Sequence, residues 1–391
     1  MNRIILHSDL NNFYASVECL YRPELAKSPV AVGGDSSKRH GIILAKNELA
    51  KKYGVKTAEP IWQAQKKCPG LVIVPPDYKK YSYFSREVYK IYKEYTSRVE
   101  PFGLDECWLD ISLLTKTFSG GRQIADEIRE KIRFAFGLTV SVGVSFNKVF
   151  AKLGSDLKKP DATSVIADTD YKEIVWPLPA ADLLYIGRST LLGLQGCGIN
   201  TIGDIANTSP DYLKRKFGKH GHTMWLYANG QDNSPVSAER EKPKSIGNST
   251  TLPRDIKSIS EALPTIYVLA EKVAARLCAE NMLCTTIQLY VRDSSLFSFE
   301  RQAVLSVATS GADTIAAKAI ELLKNNYNWE RDIRSIGIRC THLTDEENAQ
   351  LSFLPEHIKE ARRSELEHTL ENIRHKFGKG AVKRGRMLPP G

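Results

Sequence analysis

Three acidic residues stand where the surrounding chain reads as buried strand. Asp9 directly follows the apolar run IILHS, and Asp105 with Glu106 interrupts FGLDECWLDIS between two strand-like runs. Carboxylates are hard oxygen donors. With no His or Cys ligand pattern beside them, three that converge suit Mg2+, which takes a few carboxylates plus substrate phosphates. No lysine or arginine lies within three residues of any of the three, so their repulsion is costly unless a cation is bound. Two ions held in this way lower the barrier to in-line phosphoryl transfer by stabilising the attacking and leaving oxygens. A plainer reading stays open, in which Asp105 is a turn residue and Glu106 sits on a solvated strand edge.

The elements that must position these acids show as patterns. The run Arg3–Ser8 reads as a strand with Asp9 at its carboxyl end, where sheet domains often place a site. Val99–Phe102 and Cys107–Ile111 read as a strand pair with the two acids at its tip. If that hairpin pairs beside the first strand, the three carboxylates meet. Asp110 shares the face of Glu106 and Trp108 but lies farther from the tip, so it reads as structural. Helical periodicity begins near Asn12, with Phe13, Val17 and Leu20 on one face, and recurs over Tyr78–Tyr95, Gly121–Phe136 and Lys148–Leu157. Short strands are expected at Val30–Val32, Gly41–Leu44, Val72–Val74, Thr139–Ser145 and Thr163–Val165, which together suggest an α+β sheet domain. Tyr171 to Gly230 reads as helical and polar, and NSPVSAEREKPKS as a linker. A helix over Ser260–Asn281 with strands at Thr285–Arg292, Gln302–Ser306 and Ile333–His342 suggests another α+β domain, closed by a charged helix at Glu356–Phe377.

The chain has 391 residues, 42% of them hydrophobic, enough for several cores. Its formal charge of +10 fits an acidic partner or an ordinary basic surface. Distribution says more than the sum. Ser36 to Lys67 carries eight Lys/Arg against two Glu, and a second basic knot, LKRKFGKHGH, starts at Leu213. Separate basic segments fit a long polyanion, nucleic acid, better than one small anion. Seven cysteines without a CxxC spacing argue against a zinc site or a disulfide framework. No apolar run approaches the length of a membrane span, and no membrane partner is expected; the reading is a soluble, cytoplasmic protein.

Five stretches, LHSDLNNFYASVE, VAVGG, FGLDECWLDIS, SVGVSFNKVFAKLGSDLKKP and GINTIGDI, follow one another in register, and over residues 1–343 the chain resembles the Y-family translesion DNA polymerases of the DNA polymerase IV branch. The resemblance implies a multi-domain α+β right-hand polymerase. Its catalytic palm spans 1–20 and 78–168, the fingers 21–77, a helical thumb 169–231, a linker 232–243, an α+β little finger 244–343 and a tail 344–391. It implies an error-prone enzyme adding dNTPs to a primer 3′ end with two Mg2+ ions, on primer–template DNA, as a monomer. Asp9, Asp105 and Glu106 match the metal-binding carboxylates, and Leu10 the position whose carbonyl completes the second metal site. Tyr14 matches the steric gate against a ribose 2′ hydroxyl, with Phe13 packed beside it. Lys159 matches the lysine on the triphosphate, oriented by Asp156 one turn back. Lys51 stands in place of an arginine that grips the β and γ phosphates. Ile42 and Leu44 stand where relatives roof the templating base, and their bulk implies poor accommodation of two fused template bases.

Two departures from the family pattern stand out. Glu48 replaces a tyrosine on the triphosphate, so its side chain is expected to point away and the grip to be rebuilt around Lys51 and Asn47. Tyr185 replaces the first glycine of the thumb hairpin, leaving Gly187 to permit close phosphate approach. In the tail, Gln350, Leu351, Phe353 and Leu354 resemble the peptide by which bacterial polymerases dock into the sliding clamp, although a strap packed on the preceding domain is the other reading. A catalytically inactive DNA-binding adaptor of the same fold is the alternative function. The three intact acids argue against it, and the basic helices and linked further domain argue against a nucleotidyl cyclase.

Overall fold

The side chains of the strand Ile5–Leu10 are all buried, which requires cover on both faces of its sheet. Ile4, Leu6 and Leu10 enter one core, whereas Ile5 packs with Trp108 and Ala151 on the opposite face. The structure, a computed structural model, describes residues 3–35, 41–239, 241–348, 354–378, 380–382 and 384–385. The described residues up to 239 form one compact unit and those from 241 a second.

In the first unit the five-stranded sheet runs Val99–Pro101, Glu106–Asp110, Ile5–Leu10, Val140–Ser145, Thr163–Ile166. Register places Asp9 opposite Glu106 on one side of the first strand and His7 opposite Gly143 on the other. Helices Tyr78–Tyr95 and Phe118–Phe136 cover the Leu6 face through residues such as Phe84, Val88, Ile128 and Ile132. Helix Lys148–Leu157 covers the other face. It lies so near that a Cβ on Gly143 would sit 1.9 Å from the Ala151 carbonyl oxygen, so only glycine fits there.

A three-stranded sheet, Ile43–Lys46, Val30–Gly33 and Val72–Val74, carries its own small core around Ile43, Val55 and Ile61. Helices Arg188–Gln195, Ile202–Asn207 and Pro210–Ala228 pack on a third core that includes Leu194, Ile205 and Met224. In the second unit, helices Ile259–Ala279 and Ala312–Asn326 pack on a four-stranded antiparallel sheet, Ser298–Thr309, Met282–Asp293, Ile333–Asp345, Ser245–Ile256. Helix Pro355–Phe377 packs against Ile259–Ala279 and Ser298–Thr309.

Several elements differ from expectation. The strand Ser245–Ile256 was expected as linker and then unassigned chain. Its sequence, with Gly, Asn and Pro, is that of an edge strand, sustained by pairing with Ile333–Asp345 and by burial of Ile246, Leu252 and Ile256 in the core. The second acidic strand begins at Glu106, so only Asp105 lies in the turn. Thr117 caps the Gly120 N–H, which starts the next helix at Phe118 rather than Gly121. Among the described residues no helix is long and apolar enough to cross a membrane.

Candidate active site

Strand pairing brings Asp9 and Glu106 side by side on the face covered by helix Lys148–Leu157, and the Leu10 N–H donates to the Asp105 carbonyl at 3.0 Å, which fixes the turn against the strand end. Asp9 is 6% exposed. The expectation of three acids without a cationic neighbour is overturned. Lys152 Nζ lies 3.2 Å from Asp9, 3.1 Å from Glu106 and 3.1 Å from Asp156. Lys159 Nζ lies 2.7 Å from Asp9 and 2.8 Å from Asp156. Both lysines are remote in sequence and arrive through the close helix. Burial alone would lower their pKa values, but the surrounding carboxylates raise them, so both stay charged.

Asp105 is treated differently. It makes no ion pair among the described residues, and burial followed by the charges of Asp9 and Glu106 pushes its carboxyl up to about 6. Burial opposes ionisation of Glu106 too, yet His7 and Lys152 hold its carboxyl below the usual range. Asp110, by contrast, is closed off by Arg98 at 3.2 Å and by the Ser112 N–H at 2.9 Å.

The donor set suits a hard divalent cation. Two carboxylates oppose each other across the sheet and a third adjoins them. As the side chains stand, no three acidic, His or Cys groups among the described residues converge tightly enough to coordinate one ion. Lysine ammonium groups stand against the carboxylates instead.

Tyr14 stacks on Tyr81 at 4.3 Å and 9°, and Tyr81 is itself pinned by a 2.8 Å bond to buried Glu18. Phe13 is buried beside Tyr14, with ring centroids 5.6 Å apart. Ile42 is exposed just before its strand, whereas Leu44 is partly buried against the core of the five-stranded sheet. The Glu48 side chain lies between Asn12 and Lys51. Its Oε1 accepts from Asn12 at 3.0 Å and lies 3.6 Å from Lys51 Nζ. Asn47 is anchored locally: its Oδ1 accepts from Val30 N and Ala50 N, and its Nδ2 donates one N–H to the Ser28 carbonyl. Tyr185 keeps a left-handed φ of 70°, the conformation a glycine would supply. Of the tail peptide, Gln350, Leu351 and Phe353 lie outside the described residues, and Leu354 is exposed ahead of helix Pro355–Phe377.

Sequence reasoning missed Lys152, His7 and Ser155. For Lys152 a signal existed: it precedes Asp156 by four residues and Lys159 by seven, so all three share one helical face. His7 had none, since it reads as part of an apolar strand.

Residues 8–156 match the model of the impB/mucB/samB family, and residues 243–353 match that family's C-terminal domain. A DNA polymerase IV of Acetivibrio thermocellus is 50% identical over 391 residues, covering 99% of this chain and 98% of that protein. The DNA polymerase IV of Clostridium acetobutylicum is 34% identical, covering 99% of both chains. DNA polymerase IV 1 of Bacillus subtilis is also 34% identical, over 99% of this chain and 94% of its own. Among solved structures, a Y-family DNA polymerase chimera superposes with a TM-score of 0.77 at 24% identity, over 88% of this chain and 99% of its own, which supports the fold. None of these relatives is named as an inactive adaptor. The chain therefore belongs to the Y family of translesion DNA polymerases, in its DNA polymerase IV branch, and is a DNA-directed DNA polymerase that works on DNA and nucleotides with a divalent metal.

Proposed function

We propose that nucleotide addition is carried by Asp9, Asp105, Glu106 and the Leu10 carbonyl acting as ligands for two Mg2+ ions. The observation that supports this most is the cross-strand pair of Asp9 and Glu106 beside Asp105, whose carboxyl is pushed up by burial and then by the charges of those two acids. Two ions bound there would supply charge stabilisation for the attacking 3′ oxygen and the leaving pyrophosphate. Lys159 is then released from Asp9 to the triphosphate, still oriented by Asp156, and Lys51 adds charge to the phosphate grip. Tyr14, held flat against Tyr81, excludes a 2′ hydroxyl, with Phe13 as its buried support. Ile42 and Leu44 roof the templating base and disfavour two fused template bases. Primer extension by the purified protein with each dNTP, over a Mg2+ titration and with chelator, tests the assignment. Chelator-insensitive extension would remove the metal sites, and an unchanged dNTP to rNTP preference in Tyr14→Ala would remove the gate.

The chain in this reading is a cytoplasmic monomer tethered to a bacterial sliding clamp through Gln350, Leu351, Phe353 and Leu354. The exposure of Leu354 supports it. Leu351→Ala with Phe353→Ala is expected to leave clamp-free extension unchanged and to remove clamp stimulation; equal stimulation of both proteins would assign the segment to packing.

A further inference from the structure

His7 is fully buried two residues before Asp9, and its ring is fixed from three sides. Trp108 meets it edge-on at 5.1 Å. The bare Gly143 opposite it admits helix Lys148–Leu157, which sets Ser155 Oγ 2.9 Å from His7 Nδ1. The other ring nitrogen, Nε2, faces Glu106 Oε2 at 3.3 Å. These two atoms are not aligned for a hydrogen bond as they stand, and neither has another partner; with Ser164 Oγ they are the only such buried side-chain atoms among the described residues. A buried polar atom left unpaired is costly, so the pair has strong reason to close.

We propose that His7 is a positioning residue for Glu106: its Nε2–H donates to Glu106 Oε2 and so determines that Oε1 is the oxygen presented to the catalytic cation. This rests on Glu106 being a metal ligand. The carboxylate in front of the ring, which can only accept, decides where the proton sits, and Ser155 behind the ring must turn from the Lys152 carbonyl, to which its hydroxyl donates, toward Nδ1. Ser155 Oγ lies 2.9 Å from His7 Nδ1 and 2.7 Å from the Lys152 carbonyl, and its single proton serves one of them. If it went to the carbonyl, Nδ1 would carry the ring proton, and the neutral ring would turn a lone pair toward a carboxylate oxygen. With Ser155 donating to Nδ1, the proton sits on Nε2 and faces an acceptor. An imidazolium carries the same Nε2 proton, so the arrangement does not depend on the charge of the ring. Glu106 Oε1, on the far side, is the oxygen that Lys152 holds at 3.1 Å, hence the oxygen that can exchange partners. His7 is thereby a rigid wall on one side of the ligand and Lys152 a movable cation on the other.

The test uses the full chain as wild type, His7→Phe and His7→Gln, the last of which keeps an N–H donor. His7→Phe is expected to lower kcat by about 10–100-fold and to raise the half-saturating Mg2+, with KM for primer–template unchanged, while His7→Gln recovers most of the loss. Ring 15N spectra of the nucleotide-free wild type supply a readout apart from activity. They should show a protonated, hydrogen-bonded Nε2 on the resonance that His7→Phe deletes, and Glu106→Gln should move that resonance. A proton on Nδ1 with bare Nε2, or a His7→Phe protein with wild-type kcat and Mg2+ requirement, overturns the proposal. If His7→Phe does not fold, the wild-type spectrum against Glu106→Gln and His7→Gln decides it. Glu106→Ala tests the ligand assignment separately: full activity there would remove the ligand while the spectrum still judged the hydrogen bond.

Discussion

In the C-terminal unit, Glu271 takes Arg374 at 3.0 Å and Arg384 at 2.9 Å, and Arg384 also reaches Glu367 and lies 3.6 Å from Asp313. Glu367 further accepts the Ala312 N–H at 3.0 Å, so this buried network joins helix Pro355–Phe377 to two neighbouring helices. In the five-stranded sheet Asp9 and Glu106 take lysines instead, and Asp105 makes no ion pair among the described residues. The difference lies in the cations. Guanidinium is planar and always charged, with five donors that lock several acceptors in one geometry, whereas an ammonium on four methylenes is a point charge that changes partners cheaply. One cluster is therefore closed and the other is left able to exchange, which is what a metal- and nucleotide-binding site requires.

The comparison breaks most severely at the acids. Asp105→Ala or Glu106→Ala should remove nucleotide addition while DNA binding by fluorescence anisotropy persists, because the loss falls on transition-state charge. Retention of more than about a tenth of the wild-type rate would take the residue out of the ligand set, since a lost ligand should cost several kcal/mol. The closed cluster should answer with stability rather than rate. Arg374→Ala leaves Glu271 short of one cation, and the C-terminal unit should lose about 3 kcal/mol, read as an earlier calorimetric transition. A transition that does not move would show that Arg384 satisfies Glu271 alone.

How far this division could be read from the chain differs by cluster, for a physical reason. Asp9, Asp105 and Glu106 were legible because acids interrupting apolar strand runs violate the local pattern, and strand alternation fixes their face. Their lysine partners were not, because the approach of helix Lys148–Leu157 depends on the missing side chain at Gly143, a tertiary effect. The arginine network was hidden altogether, since a charged helix such as Pro355–Phe377 reads as solvated unless its neighbours are known. The strand Ser245–Ile256 escaped for the related reason that its pairing lies about eighty residues downstream. The contacts of Glu48 and Asn47 were illegible for the same reason, since their partners Asn12 and Ser28 come from other segments.

A subtler change exchanges one kind of cation for the other. Lys152→Arg should hold Asp9 and Glu106 in a more fixed geometry and raise the half-saturating Mg2+ by about tenfold, with no loss of thermal stability. An unchanged Mg2+ requirement would mean that lysine mobility has no part in opening the site.

The smallest expected effect concerns the one acid without a cation. Folding raises the Asp105 carboxyl from 3.8 to about 6, first through burial and then through Asp9 and Glu106. The folded chain thus binds this proton more tightly than the unfolded chain does. Its contribution to stability is fully present below about pH 4 and is lost as pH rises through about 6, leaving the folded metal-free protein with an uncompensated charge above that. The whole shift corresponds to about 3 kcal/mol, and solvent at this partly exposed side chain reduces it to about 1 kcal/mol. Asp105→Asn removes the charge, so at pH 8 the metal-free variant should melt a few degrees above wild type, and at pH 4 the two should coincide. Saturating Mg2+ should then stabilise the wild type alone, by mass action on the folded state. A variant less stable than wild type at pH 8 without metal would show that Asp105 is already satisfied, and that the two clusters differ only in the identity of their cations.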